Sequence, residues 1–511
     1  MHFDLCTFIL ELCDLTVLQA KEKLEKGEIT SADLVSSVFQ RIEKVEKTLN
    51  SFILLRKGEA LGEAREIDNA RKSGKSLGPL AGIPYAAKDI FCTQGIETTT
   101  GSNILKGFIP PYESTVTKRL KEAGAILIGK TNCDAFAHGS SGENSDFGPT
   151  KNPYNLEYVP GGSSSGSAVS VASGECLFAT GTDTGSSIRL PAGFCNVVGL
   201  KPTYGLVSRY GVISMASSLD CPGVITKDIS DQALVLSIIS GEDPLDANTK
   251  GAKVLTGLHP EQGATLSKKI GLPKEYFAKG IDPEVKEAIM QAAKFYEDLG
   301  FKIKEISLPH TEYGVAAYYL ICHSEVSSNL ARNDGVRFPF SDRTGQDYQS
   351  VYSNTRSRGF GAEAKRRIML GTYVLSAGYY EDYYERAAKV RQLIKEDFDK
   401  AFDPKVDDVD VILTPVSPTP PFKLGEKIND PLQMYLSDIL LVGVNLSGIA
   451  GLAVPCGFTK SGLPIGMQLI GARFSDELLL DIGYQYEKEH QWLERKPNSI
   501  NPNFEIRNPK K

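Results

Sequence analysis

The chain has 511 residues, of which 41% are hydrophobic, and its formal net charge at pH 7 is -6. This length and apolar content suffice for one large core or two to three ordinary ones, so the sequence predicts a globular protein. The acidic balance excludes the basic footprint of a protein that grips nucleic acid unaided.

Cysteines and histidines are dispersed along the chain. The nine cysteines are an odd set without paired spacing, which indicates reduced thiols in a cytoplasmic protein. No CxxC or HExxH motif occurs, so we expect no metal site. Asp4, Glu11 and Asp14 interrupt the apolar N-terminal stretch and no basic segment precedes it, so we predict neither a signal peptide nor a membrane span.

The first third of the chain predicts helices followed by short strands. Thr30 to Asp33 is a plausible cap for the second helix, and the strand run after Leu80 holds one lysine, Lys88, among apolar residues. The predicted elements are two helices over 15–50 broken at Gly27, a helix over 58–72, a strand within 80–91, a helix over 113–123, a strand over 125–129 and a polar loop over 134–153.

The segment from Pro160 to Pro191 carries the strongest signal of a catalytic centre. Glycines that permit tight turns alternate with serine hydroxyls, a small-residue helix is predicted over Ser167 to Ala179, and a second hydroxyl-bearing turn covers Gly181 to Arg189. Backbone N–H groups in such a turn can converge on an oxyanion.

The rest of the chain continues to alternate strands and helices. The predicted elements are short strands and turns over 197–207 and 210–215, a helix over 228–240, a βαβ segment over 269–309 with its helix over 283–299, helices over 310–400 broken near 335–361, a strand over 409–415, a helix near 430–447, strands at 452–457 and 465–471, and a helix over 476–490.

This alternation predicts a single large α/β domain with a central mixed sheet covered by helices on both faces. We place the domain at 15–495, with an N-terminal extension of unknown role over 1–14 and a polar C-terminal tail over 496–511.

Several chemistries could use the Gly/Ser-rich segment. A flexible linker is disfavoured because apolar segments flank it, and a phosphate loop is disfavoured because no Gly-Lys-Ser/Thr ending occurs. One hypothesis is a G-x-S-x-G nucleophile elbow with Ser164 as nucleophile and a base among His310, His323 and His490. The other hypothesis uses Lys88 as the base and a nucleophile in the later turn.

The motifs that carry the second hypothesis resemble the amidase signature family. They are LAGIPYAAKD at 80–89, GGSSSGS at 161–167 and GTDTGSSIRLP at 181–191, followed by GLKP at 199–202, and the resemblance runs from about residue 15 to 495. Segments 204–211, 327–335, 365–372 and 376–380 are most similar to the branch that serves as glutaminase subunits of tRNA-dependent amidotransferases.

The resemblance implies catalytic roles for three residues. Ser187 is the implied acyl-forming nucleophile, Ser163 the bridging serine on a cis peptide and Lys88 the base, in a setting where desolvation lowers the pKa of a lysine. The implied oxyanion hole consists of Thr184, Gly185, Ser186 and Ser187.

The resemblance also implies glutamine as the substrate. Arg367 is then expected to pair with its α-carboxylate, Asp438 with its α-ammonium, and Tyr318 to line the pocket. Two observations weigh against this set: Lys365, Arg366 and Arg367 together are typical of a solvated helix face, and Asp430 competes with Asp438.

Two serines depart from the family pattern, which has glycine at both positions. They are Ser165 and Ser186, and the second falls in the oxyanion turn. If the φ angle of Ser186 is positive, the residue is strained, and Ser186→Gly should then hold or raise stability and activity.

The implied assembly is a heterotrimer in which this chain joins amidotransferase subunits B and C. This chain is expected to bind no cofactor, while the larger of the two partners uses ATP and magnesium and holds the misacylated tRNA. Whether tRNA(Gln), tRNA(Asn) or both are served is left open. The alternative is a stand-alone amidase acting on small acyl amides; a non-catalytic scaffold is disfavoured because Lys88 and both serines are present.

Overall fold

The computed structural model describes residues 11–500 apart from 254, 256, 257, 259–267, 278, 279 and 346. Within these residues the chain builds one sheet of eleven strands in the order β1-β3-β2-β4-β6-β5-β10-β11-β9-β7-β8. The strands are β1 Phe52–Leu55, β2 Pro84–Lys88, β3 Ile126–Thr131, β4 Phe178–Asp183, β5 Val198–Lys201, β6 Cys221–Thr226, β7 Lys269–Pro273, β8 Lys302–Ile306, β9 Val411–Pro415, β10 Ala450–Phe458 and β11 Pro464–Gly471.

The sheet is mixed, which confirms the predicted α/β class. Strand β2 runs parallel to both β3 and β4, and β7 runs parallel to β8 and β9, whereas the other pairs are antiparallel. The predicted βαβ segment is therefore present as β7, a helix and β8. Because β2 and β4 are parallel neighbours, the residues at their carboxyl ends meet at one edge of the sheet.

Helices pack against this sheet. They are α1 Val17–Glu25, α2 Ser31–Leu49, α3 Lys57–Lys72, α4 Thr115–Glu122, α5 Ser165–Ala172, α6 Arg189–Phe194, α7 Ile229–Ile239, α8 Pro283–Asp298, α9 Gly314–Leu330, α10 Tyr348–Gly359, α11 Ala362–Val374, a π-helical turn Tyr380–Glu385, α12 Arg386–Phe402, α13 Pro431–Leu436, α14 Val442–Ser447 and α15 Asp476–Glu489. The predicted cap of α2 is present, because Thr30 and Asp33 form a capping box. No helix among the described residues is long and apolar enough to cross a membrane.

Several predicted elements were wrong in their bounds. The helix predicted over 167–179 ends at Ala172, where Gly174 adopts a left-handed φ of 74°, and the remainder enters β4. The segment 210–215 forms no strand and makes only one isolated bridge, between Val212 and Phe91. The helix expected near 430–447 is two helices, α13 and α14. Strands β1, β4 and β6 were not predicted.

The two ends of the described chain lie against the domain. Cys13 is buried, Asp14 lies 3.2 Å from Arg41 of α2, and the side-chain amide of Asn498 donates to the carbonyl of Tyr154 at 2.7 Å. Most of the predicted N-terminal extension and C-terminal tail, residues 1–10 and 501–511, lies outside the described residues.

Candidate active site

Lys88 is the last residue of β2, and its side chain is completely buried. Its Nζ donates to three hydroxyl oxygens, Ser163 Oγ at 2.8 Å, Ser164 Oγ at 2.9 Å and Thr182 Oγ1 at 2.9 Å. Burial lowers the pKa of Lys88 to about 8, and this effect outweighs the nearby acidic groups, which favour the charged form. The ammonium is therefore far easier to deprotonate than that of an exposed lysine.

Ser163 sits in a loop where the backbone packs very closely. The peptide bond between Gly162 and Ser163 is cis, as the resemblance implies. A Cβ atom on Gly162 would come within 2.1 Å of an Asp134 carboxylate oxygen, so only glycine fits there. The carbonyl of Ser163 accepts from the N–H of Asp134 at 3.2 Å, and the N–H of Gly162 donates to the carbonyl of Ser140 at 2.9 Å.

The turn that follows β4 brings Ser187 to the same edge of the sheet. The carbonyl of Ser187 accepts a hydrogen bond of 3.2 Å from the N–H of Ser164, which ties the turn to the start of α5. Ser187 is 5% exposed, whereas Ser163 is completely buried. Lys88 and Ser163 are therefore in direct contact, and Ser187 lies in the turn that is hydrogen-bonded to the neighbouring Ser164, with the greatest exposure of the three.

A buried ion pair anchors this turn. The carboxylate of Asp183 accepts from the N–H of Ile188 at 3.1 Å and from Nε and Nη2 of Arg189 at 3.0 and 2.9 Å. Burial opposes its charge, but Arg189 and Asn445 hold the pKa of Asp183 at about 2. The carboxylate is therefore charged at neutral pH and fixes both ends of the turn.

The backbone of the turn has donors to spare. Among the described residues, none accepts a hydrogen bond from the N–H groups of Gly185, Ser186 or Ser187. Tyr318 packs over the turn, because a Cβ on Gly185 would lie 2.7 Å from its hydroxyl oxygen. The hydroxyl of Thr184 donates to Asp220 at 2.7 Å, which orients the first residue of the turn. These unpaired N–H groups suit an oxyanion.

Ser186 does not have a positive φ, so the strain considered from the sequence is absent. Its hydroxyl instead donates to Oδ1 of Asp438 at 2.6 Å. The expectation that Ser186→Gly would hold or raise stability therefore loses its physical reason. The other unusual serine, Ser165, begins α5, and its hydroxyl donates to Oγ1 of Thr150 at 3.2 Å.

Arg367 and Asp438 both contact Tyr319, a residue that sequence reasoning missed. The hydroxyl of Tyr319 donates to Oδ2 of Asp438 at 3.0 Å, and its ring lies 5.6 Å from the Arg367 guanidinium carbon. Arg367 is 2% exposed, so it is not part of a solvated helix face. The competing acid, Asp430, caps α13 by accepting from the N–H of Gln433.

Arg367 also borders a cavity of about 200 Å³. Its Nε donates to Glu363 at 2.7 Å, but its Nη1 and both ring nitrogens of the buried His138 have no partner among the described residues. Burial, together with Arg367 and His323, holds the pKa of His138 well below its usual value. The cavity therefore offers a cationic donor beside a neutral imidazole.

The elbow hypothesis requires a histidine at Ser164. Instead, Ser164 Oγ lies between Lys88 Nζ and the carbonyl of Thr182, to which it donates at 3.3 Å. The three candidate histidines contact other side chains: His310 pairs with Asp397, His490 stacks on Tyr486 and His323 packs against Tyr319.

Thr182 and Ser164 were not predicted as partners of Lys88. The signal that could have found Thr182 is its place in the hydroxyl-bearing turn predicted over Gly181 to Arg189, but it lies in β4, a strand parallel to β2 that was not predicted. No comparable signal existed for Tyr319, whose contacts come from segments distant in the chain.

A buried lysine, neighbouring serines and unpaired backbone N–H donors at the edge of a mixed sheet are the components of a serine-type site for amide hydrolysis. The amidase family model matches residues 33–480, and the chain belongs to that family.

Individual relatives give a more specific comparison than the family model does. The chain is 51% identical over 493 residues to the A subunit of glutamyl-tRNA(Gln) amidotransferase from Syntrophus aciditrophicus (strain SB), covering 96% of this chain and 100% of that protein. The crystal structure of the A subunit of glutamyl-tRNA(Gln) amidotransferase from Thermotoga maritima is 39% identical with a TM-score of 0.75, covering 94% and 96% of the two chains. The peptide amidase of Stenotrophomonas maltophilia has a TM-score of 0.78 at 29% identity, covering 94% and 98%.

Proposed function

We propose that this chain is the glutaminase subunit of a tRNA-dependent amidotransferase. It hydrolyses glutamine and passes the ammonia to a partner subunit, which converts Glu-tRNA(Gln), Asp-tRNA(Asn) or both to the amidated forms. The observation that carries the chemistry is the contact of a buried lysine of lowered pKa with Ser163. The choice of glutamine as substrate is supported by the 51% identity to a protein named as the A subunit of a glutamyl-tRNA(Gln) amidotransferase.

In the proposed mechanism, neutral Lys88 accepts a proton from Ser163, which in turn accepts the proton of Ser187. Ser187 Oγ attacks the carboxamide carbon of glutamine, and the N–H groups of the turn over 184–187 stabilise the oxyanion. The proton returns through Ser163 to the leaving nitrogen, ammonia departs and a γ-glutamyl ester remains on Ser187. Water then hydrolyses this ester to glutamate by the same proton path.

Substrate recognition is assigned to the two charged side chains that contact Tyr319. Arg367 pairs with the α-carboxylate, for which its unpartnered Nη1 is suited. Asp438 receives the α-ammonium, and Tyr318 closes the pocket over the turn. A free amidase for small acyl amides would need neither charge.

The proposed assembly is a cytoplasmic heterotrimer of this chain with subunits B and C. ATP and magnesium act at the larger of these partners, which holds the misacylated tRNA, and this chain binds neither cofactor. The net charge of -6 supports this division, because an acidic chain is poorly suited to hold tRNA alone. The choice of tRNA is assigned to the same partner.

Reconstitution tests this function against the stand-alone alternative. The isolated chain should release glutamate slowly from glutamine, and partner subunits, ATP and misacylated tRNA should raise the rate. Ser187→Ala should abolish glutamine-dependent amidation, while ammonium chloride should restore amidated tRNA in the same assembly. Full glutaminase activity of the chain alone, with no ammonium rescue, would favour the stand-alone amidase, for which the peptide amidase neighbour is the precedent.

A further inference from the structure

One hydroxyl joins the turn that carries Ser187 to a carboxylate 252 residues further along the chain. Ser186 Oγ donates to Asp438 Oδ1 at 2.6 Å, and both residues are almost fully buried, at 1% and 4% exposure. A buried hydrogen bond to a carboxylate is among the stronger polar contacts in proteins. The position of the turn and that of the carboxylate are therefore linked.

Asp438 accepts from two further hydroxyls, but Ser186 is the only residue of the turn over 184–187 that donates to it. Its second oxygen, Oδ2, accepts from the hydroxyls of Ser140 at 2.8 Å and Tyr319 at 3.0 Å. Neither of these donors belongs to the turn next to Ser187. One carboxylate oxygen thus contacts the turn that carries Ser187, and the other contacts the loop that holds Ser140 and the helix that holds Tyr319.

The hydroxyl of Ser186 also has a consequence for its own backbone. The N–H of Ser186 is one of the unpaired donors described above, so a side chain held on Asp438 restricts the direction in which this N–H points. Oxyanion donors lower the barrier only when they are already oriented toward the developing charge. Fixing the Ser186 side chain therefore bears on the chemical step as well as on the fold.

We infer that Ser186 is a positioning residue that couples recognition of the substrate's α-ammonium by Asp438 to the geometry of the oxyanion turn. This inference rests on the proposed function, since it takes glutamine as the substrate. An ammonium seated on Asp438 holds the carboxylate in place, and the carboxylate holds Ser186 and the turn. An amide that carries a free α-ammonium then gains in turnover, and not only in binding.

The test is a cycle between the Ser186 hydroxyl and the substrate's ammonium. Steady-state formation of the carboxylate product is measured for the full chain in its reconstituted assembly, as glutamate from glutamine and as pentanedioate from 4-carbamoylbutanoate, which is glutamine without its α-amino group. Ser186→Ala should lower kcat on glutamine by about tenfold and leave KM within about threefold. On 4-carbamoylbutanoate the same substitution should lower kcat by about threefold or less, because this substrate places no ammonium on Asp438 that Ser186 could couple to the turn.

Two control variants separate this role from simple loss of a hydroxyl. Ser140→Ala removes a donor to the other oxygen of Asp438 and should change KM for glutamine more than kcat. Ser237→Ala removes a hydroxyl that donates to a carbonyl within α7, remote from the turn, and should leave both constants unchanged. Ser186→Gly removes the same hydroxyl as the alanine variant and gives a second measurement if Ser186→Ala does not fold.

Equal losses of kcat on both substrates would overturn the inference while leaving glutamine as the substrate. A loss of kcat in Ser140→Ala equal to that in Ser186→Ala would overturn it as well. If the wild-type assembly hydrolyses both amides equally well, Asp438 does not receive an ammonium, and the proposed substrate assignment fails together with the inference.

Discussion

The pH dependence of glutamine hydrolysis should report the pKa of Lys88. With its pKa at about 8, about 9% of Lys88 is neutral at pH 7, against about 0.03% for a lysine at the usual 10.5. Burial thus increases the population of the proton acceptor roughly 300-fold at neutral pH. Since only neutral Lys88 accepts the proton, kcat/KM should rise nearly tenfold from pH 6 to 7 and level off above about pH 8.

The assay is initial-rate release of glutamate between pH 6 and pH 9.5, with thermal unfolding recorded at each pH to exclude loss of the native state. Lys88→Ala should keep less than about a tenth of wild-type turnover and unfold with a normal cooperative transition. A single ionisation near pH 6.5 would indicate a histidine base, as the elbow hypothesis requires. That outcome, or a rate independent of pH below 8, would refute the lysine mechanism.

The remaining predictions concern the charges around the site. Arg367→Ala should raise KM for glutamine by about 10- to 100-fold because a charge-assisted pair is lost, whereas Lys365→Ala, on the same helix, should stay within about twofold in the same assay. Asp438→Asn should raise KM by at least about tenfold, while Asp430→Ala should only remove a helix cap, at about 1 kcal/mol in urea unfolding; equal effects on KM would contradict the choice of acid. Asp183→Asn should destabilise the fold by about 3 kcal/mol, since its arginine partner stays buried without a counter-charge. Because the folded pKa of Asp183 is about 2, below the usual 3.8, its stabilisation is fully present above about pH 4 and is lost as pH falls through 2. Denaturant titrations should therefore give a lower free energy of unfolding at pH 3 than at pH 7, and a higher value at pH 3 would contradict this role.

Family resemblance predicted that Lys88, Ser163 and the later turn belong to one site, although strand β4, which leads into the turn, was not predicted from the local sequence. Lys88 ends a short apolar strand, and the turn follows another strand that pairs with it in parallel. The carboxyl ends of parallel neighbours lie side by side, so two motifs almost one hundred residues apart must meet. The cis peptide at Ser163 was implied by family resemblance and not by any property of the glycine-rich loop itself.

Contacts between distant segments were beyond sequence reasoning. Nothing in the residues around Ser186 indicates that its hydroxyl reaches Asp438, and the strain considered there depended on a φ angle that only the backbone path decides. Short strands were missed for a related reason: Phe52–Leu55 has four residues between two long helices, which is too few for a periodic pattern. The helix over Ser165–Ala172 was drawn too long because small residues suit a helix and a buried strand equally well.

Two completely buried lysines on neighbouring strands, Lys88 and Lys130, differ in their polar partners. Lys130, on the strand next to β2, lies 3.2 Å from the Asp89 carboxylate. Lys88 is equally buried, but its hydrogen-bond partners are three hydroxyls, which satisfy the nitrogen in either protonation state because a hydroxyl can donate as well as accept. Replacing Thr182 by aspartate would place a carboxylate beside Nζ and favour the ammonium. The hydroxyl-only shell of Lys88 is therefore as necessary to the proposed base as its burial.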